Sequence, residues 1–307
     1  MSTDYPLLAG RYAEVAPGVK LHYRACGPQD GRLLIFLHGF PEAGFIWEPH
    51  LQAMAGEWLA VAPDLRGYNL SSKPAEVAAY RPDALVGDLI GLIRHFGRER
   101  ATIVAHDWGG ALAWNLAILH PGYVERLVIV NSPHPVLFAR ALASDPAQQA
   151  ASAYMNWLRQ PGSEEALVAD DFRRLDGMLA GHGQNGAWYT EAERARYHAM
   201  WSVPGEGGSH AMTGAVNYYR ASPLRPPSAN DPAPPPQLDP TRWRTGVPVR
   251  VIWATDDLAL PASLADGLPE VCADLRVWRI ADAGHWVVHE RPDAFQGLLK
   301  AALQDMG

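Results

Sequence analysis

The sequence predicts an α/β protein with a mostly parallel sheet of about eight strands, helices on both faces, and an inserted helical segment. Three observations carry this. Short apolar runs alternate with amphipathic helical patterns in the first part of the chain and again near its end. The segment 134–243 between them shows helical patterns but no convincing buried strand. One apolar run ends in a carboxylate flanked by small residues, at the start of a helical pattern.

In chain order, "LLIFLHG" (33–39), "LAVAPD" (59–64), "ATIVAHD" (101–107) and "RLVIVN" (126–131) read as buried strands. Near-continuous apolar runs of this length suit strands covered on both faces. Between the second and third, "PDALVGDLIGLIRHFG" sets Leu85, Leu89, Leu92, Ile93 and Phe96 at helical spacing. Strand–helix–strand alternation implies parallel pairing. The middle segment is rich in Ala, Trp and Tyr and closes with "PLRPPSANDPAPPPQLDP" (223–240). So many prolines permit neither a helix nor a central strand, so this stretch reads as a stiff return connection, the alternative being a disordered linker. The strand pattern resumes with "VPVRVIWAT" (247–255) and "LRVWRIAD" (275–282), and a helix through "DAFQGLLKAAL" ends the chain. The expected division is a core of 1–133 and 244–307, with a helical cap of 134–243.

Composition narrows the function classes. A chain of 307 residues, 48% hydrophobic, can bury a sizeable core. Its net charge of −7 is dispersed, which leaves no basic patch for nucleic acid and no polybasic membrane anchor. "MSTDYPLLAGRYAEV" lacks the pattern of a signal peptide, and no apolar window is long enough to span a bilayer. Cys26 and Cys272 sit in unrelated contexts and suggest neither zinc nor a disulfide framework. A cytoplasmic protein with a small-molecule partner is expected, as a monomer or a homodimer.

The informative junction is Ala105-His106-Asp107-Trp108-Gly109-Gly110. Small residues on both sides of a central functional residue meet the steric requirement of a nucleophile elbow, a strained strand-to-helix turn. The helix N-terminus beside it favours an anion. The competing reading is an ordinary Asp helix cap.

With these motifs the sequence resembles the α/β-hydrolase superfamily over nearly its whole length. Most members carry Ser at the elbow, and Ser attacking acyl carbon gives an ester that water reopens. On saturated carbon Ser would give an inert ether. A carboxylate gives an ester, whose own carbonyl offers water a point of attack. Asp107 therefore points to an alkylating substrate and a covalent alkyl-enzyme. The resemblance implies His285, in "ADAGHWVVHERP", as the base for the second step. In "VIWATDDLALP" it implies Asp257, rather than Asp256, as the partner that orients it. His285 and His289 have the spacing of a metal pair, but no third ligand is recognisable, and neither metal nor organic cofactor is expected. "FLHGFPE" (36–42) resembles the His-Gly-x-Pro loop. That implies a cis Phe40–Pro41 peptide and an oxyanion hole made by the Phe40 and Trp108 backbone N–H groups. His38 then supports this loop, and "DLRGYNLSSKP" (64–74) is a further, structural family loop.

The leaving group decides among electrophiles. An opening epoxide becomes an alkoxide and needs a proton donor, a role suited to tyrosine. "ASAYMNWLRQPGSEEAL" and "TGAVNYYRASP" resemble the two cap signatures of epoxide hydrolases and pick out Tyr154 and Tyr219, leaving Tyr218 to pack. Trp108, Phe40 and Trp157 are the expected substrate contacts, and Trp47, Trp188 and Trp201 either shape the pocket or fill the core. Haloalkane dehalogenases of the commonest type carry Asn where this chain has Phe40. Fluoroacetate dehalogenases carry arginines where it has Trp108 and Ala111. The resemblance thus implies an epoxide hydrolase, with a dehalogenase using the same Asp-His-Asp set as the alternative. A non-catalytic ligand-binding member of the fold stands third.

Overall fold

The computed structural model describes residues 5–181 and 186–305. Eight strands form one sheet: β1 (Leu8–Ala16), β2 (Val19–Cys26), β3 (Arg32–Leu37), β4 (Trp58–Pro63), β5 (Ala101–His106), β6 (Val124–Val130), β7 (Val249–Ala254) and β8 (Leu275–Ile280). Their spatial order is β1-β2-β4-β3-β5-β6-β7-β8. The β1–β2 and β2–β4 pairs are antiparallel, and the pairs from β4 through β8 are parallel. Every residue of β4, β5 and β7 is buried, which is why those segments read as unbroken apolar runs.

Twelve helices accompany the strands among the described residues. In the first half these are α1 (Glu48–Met54), α2 (Pro82–His95) and α3 (Asp107–Leu119). Between β6 and β7 come α4 (Pro135–Ser144), α5 (Pro146–Ala151), α6 (Ala153–Leu158), α7 (Ser163–Gly181), α8 (Glu191–Trp201) and α9 (Thr213–Ala221). The last three are α10 (Leu268–Val271), α11 (Val287–Glu290) and α12 (Pro292–Gln304). Six consecutive helices without a strand match the strandless pattern of the middle segment. α7 is interrupted at Ala169–Phe172, where the backbone leaves helical geometry. From Ser222 to the start of β7 the chain is irregular, as its prolines require.

The topology places the site. Because β3, β5, β6, β7 and β8 run parallel, their carboxyl ends lie along one edge of the sheet. The chain visits β4 on one side of β3 and then returns to β5 on the other. This reversal leaves a crevice outside the strand ends, where ligands of open α/β sheets bind. Phe40 follows β3, Asp107 follows β5, Asn131 follows β6, Asp257 follows β7 and His285 follows β8. Residues distant in the sequence are thus delivered to one rim.

Candidate active site

The turn from β5 into α3 is the tightest feature of this rim. His106 is extended, and Asp107 sits at φ +49°, in the left-handed region that a non-glycine residue occupies only where its surroundings hold it. The neighbours leave no spare room. A Cβ on Gly39 would stand 2.2 Å from Asp107 Oδ1, and one on Gly110 would stand 2.3 Å from Ser132 Cβ. A Cβ on Gly109 would approach the His38 carbonyl oxygen to 2.6 Å. Ser132 Oγ donates to the Asp107 carbonyl at 2.7 Å and ties the elbow to the end of β6. The small flanking residues in the sequence are therefore a packing requirement.

The loop after β3 faces this carboxylate. The Phe40–Pro41 peptide is cis, and the Phe40 N–H donates to Asp107 Oδ1 at 2.8 Å. Trp108 is the next residue of α3, so its N–H belongs to the first turn, where no intrahelical acceptor exists. His38 Nε2 accepts from the Leu65 N–H at 2.9 Å and braces the loop.

Opposite the second carboxylate oxygen stands the imidazole. His285 Nε2 lies 3.7 Å from Asp107 Oδ2, and His285 Nδ1 lies 2.8 Å from Asp257 Oδ2. Asp257 is itself fully engaged. Its Oδ2 accepts from Asn131 Nδ2 at 2.8 Å, and its Oδ1 accepts from the Ala259 and Leu260 N–H groups, each at 2.9 Å. Asp256 instead accepts from the Thr255 hydroxyl. Burial works to lift the Asp257 pKa, but the facing imidazole and these donors hold it below the ordinary carboxylate value. Burial likewise disfavours a charged His285. The Asp257 carboxylate outweighs that cost, Asp107 adds to it, and the imidazole pKa rises to about 9.

Two phenols complete the site from the helices between β6 and β7. Tyr154 of α6 and Tyr219 of α9 line a cavity of about 440 Å³ together with Asp107 and Trp108. Their rings lie 6.1 Å apart, edge to face. Burial, reinforced for Tyr154 by the charge of Asp107, raises both phenols well above the usual tyrosine value, so each keeps its proton at neutral pH. The Trp108 indole packs edge-on against the Tyr219 ring, centroids 5.1 Å apart. Tyr218 also lines the cavity, but its hydroxyl donates to the Arg66 carbonyl at 2.8 Å.

Several expected contacts differ. Trp157 is not among the residues lining the cavity; its ring lies under the Arg174 guanidinium, 5.4 Å away. The Phe40 ring does not line it either and packs edge-on against Tyr219. Trp47 and Trp201 are fully buried, and Trp188 stacks on His289. The indoles at the cavity are those of Trp108 and Trp243. Three supporting residues carried no recognised role in the sequence. Asn131 joins Asp257 to the Ala254 N–H, Ser132 anchors the elbow, and Glu42 lies in a buried layer behind the imidazole. Glu42 receives His289 Nε2 at 2.8 Å and the Tyr197 hydroxyl at 2.7 Å, while His106 Nε2 reaches the His285 carbonyl at 2.9 Å. Among the described residues no three His, Cys, Asp or Glu side chains are grouped to hold a metal ion.

Residues 32–292 match the family model of the alpha/beta hydrolase fold. The chain belongs to the α/β-hydrolase fold family. It is a hydrolase similar to epoxide hydrolases. The AB hydrolase superfamily protein YfhM of Bacillus subtilis (strain 168) is 36% identical over 291 residues, covering 94% of this chain and 96% of that protein. Epoxide hydrolase 3 of Mus musculus is 32% identical, over 94% of this chain and 75% of the mouse protein. Among solved structures, a Bacillus megaterium epoxide hydrolase in complex with an inhibitor superposes with a TM-score of 0.85 at 31% identity. The match covers 96% of this hydrolase and all of that chain. No helix among the described residues is long and apolar enough to cross a membrane.

Proposed function

We propose that this hydrolase opens epoxides through an ester on Asp107 and releases a vicinal diol. The observation that carries the reading is a carboxylate that shares one cavity with a pair of protonated phenols and has an imidazole 3.7 Å from its second oxygen. Similarity to proteins named epoxide hydrolases supports the same conclusion.

In the first step Asp107 Oδ2 bonds to a ring carbon and the opposite C–O bond breaks. The departing alkoxide is a stronger base than a phenolate and takes its proton from Tyr154 or Tyr219. In the second step His285, held by Asp257, takes a proton from water, and the hydroxide attacks the ester carbonyl carbon. The oxyanion so formed is stabilised by the Phe40 and Trp108 N–H groups. Collapse breaks the acyl C–O bond. The diol leaves with one of the two water-derived protons, and the other returns to the phenolate. On this reading helices α4–α9 with the returning segment act as a cap, the division expected at 134–243.

A halide leaving group would need free N–H donors rather than acids. The cavity instead presents two protonated phenols beside Asp107, which favours the epoxide. The test is His285→Gln incubated with styrene oxide and followed by intact mass. We expect the substrate's mass to accumulate on the protein at Asp107, with little diol. An unmodified protein that turns over at the wild-type rate refutes the assignment.

A further inference from the structure

We propose that the substrate is an uncharged epoxide carrying an extended apolar chain, which lies along one face of α3 toward Leu119. This deepens the epoxide reading and rests on it. The cavity that holds Asp107 is lined by α3 at Trp108, Ala111, Leu112, Asn115 and Leu119. These positions form one stripe of the helix. At the helical rise of 1.5 Å per residue, Ala111, Asn115 and Leu119 lie about 6, 12 and 18 Å from the nucleophile along the axis. Leu119 is 53% exposed, so the cavity reaches solvent there.

Apolar side chains from separate parts of the fold supply much of the remaining wall, among them Val86, Phe138, Met155, Leu238 and Trp243. Leu238 belongs to the proline-rich return segment, which is therefore a wall of the site as well as a connection. Asn115 Nδ2 donates to the Ala111 carbonyl at 2.7 Å. The carboxylates among the lining side chains are Asp83 and Asp107, the imidazole is that of His120 beside Leu119, and neither lysine nor arginine is among them. A chain ending in a carboxylate would meet the like charges of Asp83 and Asp107 and neither a lysine nor an arginine. The polar groups able to grip an epoxide are gathered at one end, and the rest of the cavity suits methylenes.

The test is a series of 1,2-epoxyalkanes from four to eighteen carbons, each compared with the same chain ending in a carboxylate. Each methylene buried on the α3 face should raise kcat/KM by roughly three- to fourfold. The gain should stop at about fourteen carbons, where a chain advancing a little over 1 Å per C–C bond reaches Leu119. The carboxylates should be at least about tenfold poorer. Ala111→Phe, Asn115→Phe and Leu119→Trp should move the plateau to short, intermediate and nearly full length, in that order.

Turnover of 1,2-epoxybutane with no dependence on length overturns the inference while leaving the epoxide reading intact. A preference for the carboxylates, or one plateau common to the three variants, does the same. Failure to open any member of the series, styrene oxide included, sinks the epoxide reading itself and the inference with it. Thermal stabilisation of the unsubstituted protein by 1-alkanols needs neither variants nor turnover. It should grow with chain length over the same range, and a flat response also overturns the proposal.

Discussion

Asp257→Asn separates the two halves of the proposed cycle. The substituted side chain keeps the shape of the original, and its carbonyl oxygen can still accept from the Ala259 and Leu260 N–H groups. Its NH2 group, however, would then face Asn131 Nδ2 and His285 Nδ1, where the carboxylate oxygen accepted from both. The imidazole loses its largest favourable partner and is pushed toward the other tautomer. Raising His285 from 6.5 to about 9 corresponds to about 3 kcal/mol of preference for the charged ring. Most of that preference is lost in the variant, which slows the base-assisted step by about a hundredfold, and the wrong tautomer can extend the loss to ~10⁴. Alkylation uses Asp107 and the phenols, so it should proceed. Rapid quench followed by intact mass should therefore show about one substrate-derived adduct per chain, decaying slowly, where the wild type shows a transient one. Diol formation within about tenfold of wild type would refute the role given to Asp257. So would a well-folded variant that forms neither adduct nor diol.

Losing one phenol, as Tyr154→Phe or Tyr219→Phe, should slow epoxide opening by about 10²–10⁴, and the double variant should form no ester detectable by mass; an adduct appearing at the normal rate would show that the leaving oxygen is protonated elsewhere. Stability should depend on pH through His285. Its pKa is raised on folding, so the Asp257 pairing contributes fully below about pH 6.5 and is lost as pH climbs through about 9. The unfolding free energy of wild type relative to His285→Gln should shrink by up to about 3 kcal/mol across that window, and parallel denaturation curves at pH 6 and pH 10 would contradict the coupling.

Much of this architecture was legible because its signals are local. The strands from β3 to β8 announce themselves as apolar runs closed by turn residues, and the β5–α3 elbow by a carboxylate between small residues. β1 and β2 gave no such run. Most of β1 is exposed, Gly10 takes a positive φ within it, and its register with β2 shifts twice. An antiparallel edge with one wet face spreads its apolar residues too thinly to stand out. Asn131 was legible only as the end of a strand. It matters because β6 lies between β5 and β7, and that adjacency is a property of topology. The tryptophans show the same limit. Composition cannot tell Trp243, which lines the cavity, from Trp157, which lies under an arginine. Likewise the prolines at 223–240 excluded helix and central strand, but nothing local in them says that Leu238 faces the site.

The 3.7 Å between His285 Nε2 and Asp107 Oδ2 gives the cycle an internal order. In the free enzyme the Asp107 charge helps to raise the imidazole to about 9, which would make it a poor base at neutral pH. Esterification removes that charge, because the alkylated carboxyl is neutral. Loss of an opposite charge at this range changes an acid's dissociation by roughly ten- to a thousandfold. On the proposed cycle, alkylation would thus generate the base that the second step needs, and water would be activated only when an ester is present to receive it. Ester decay measured after rapid loading at a series of pH values should rise with pH, as a neutral imidazole becomes available. Its midpoint should fall clearly below 9, while the free enzyme's imidazole, followed by NMR, titrates near 9. Coincident midpoints would show that Asp107 and His285 are not coupled, and the ordering would then have to come from substrate geometry alone.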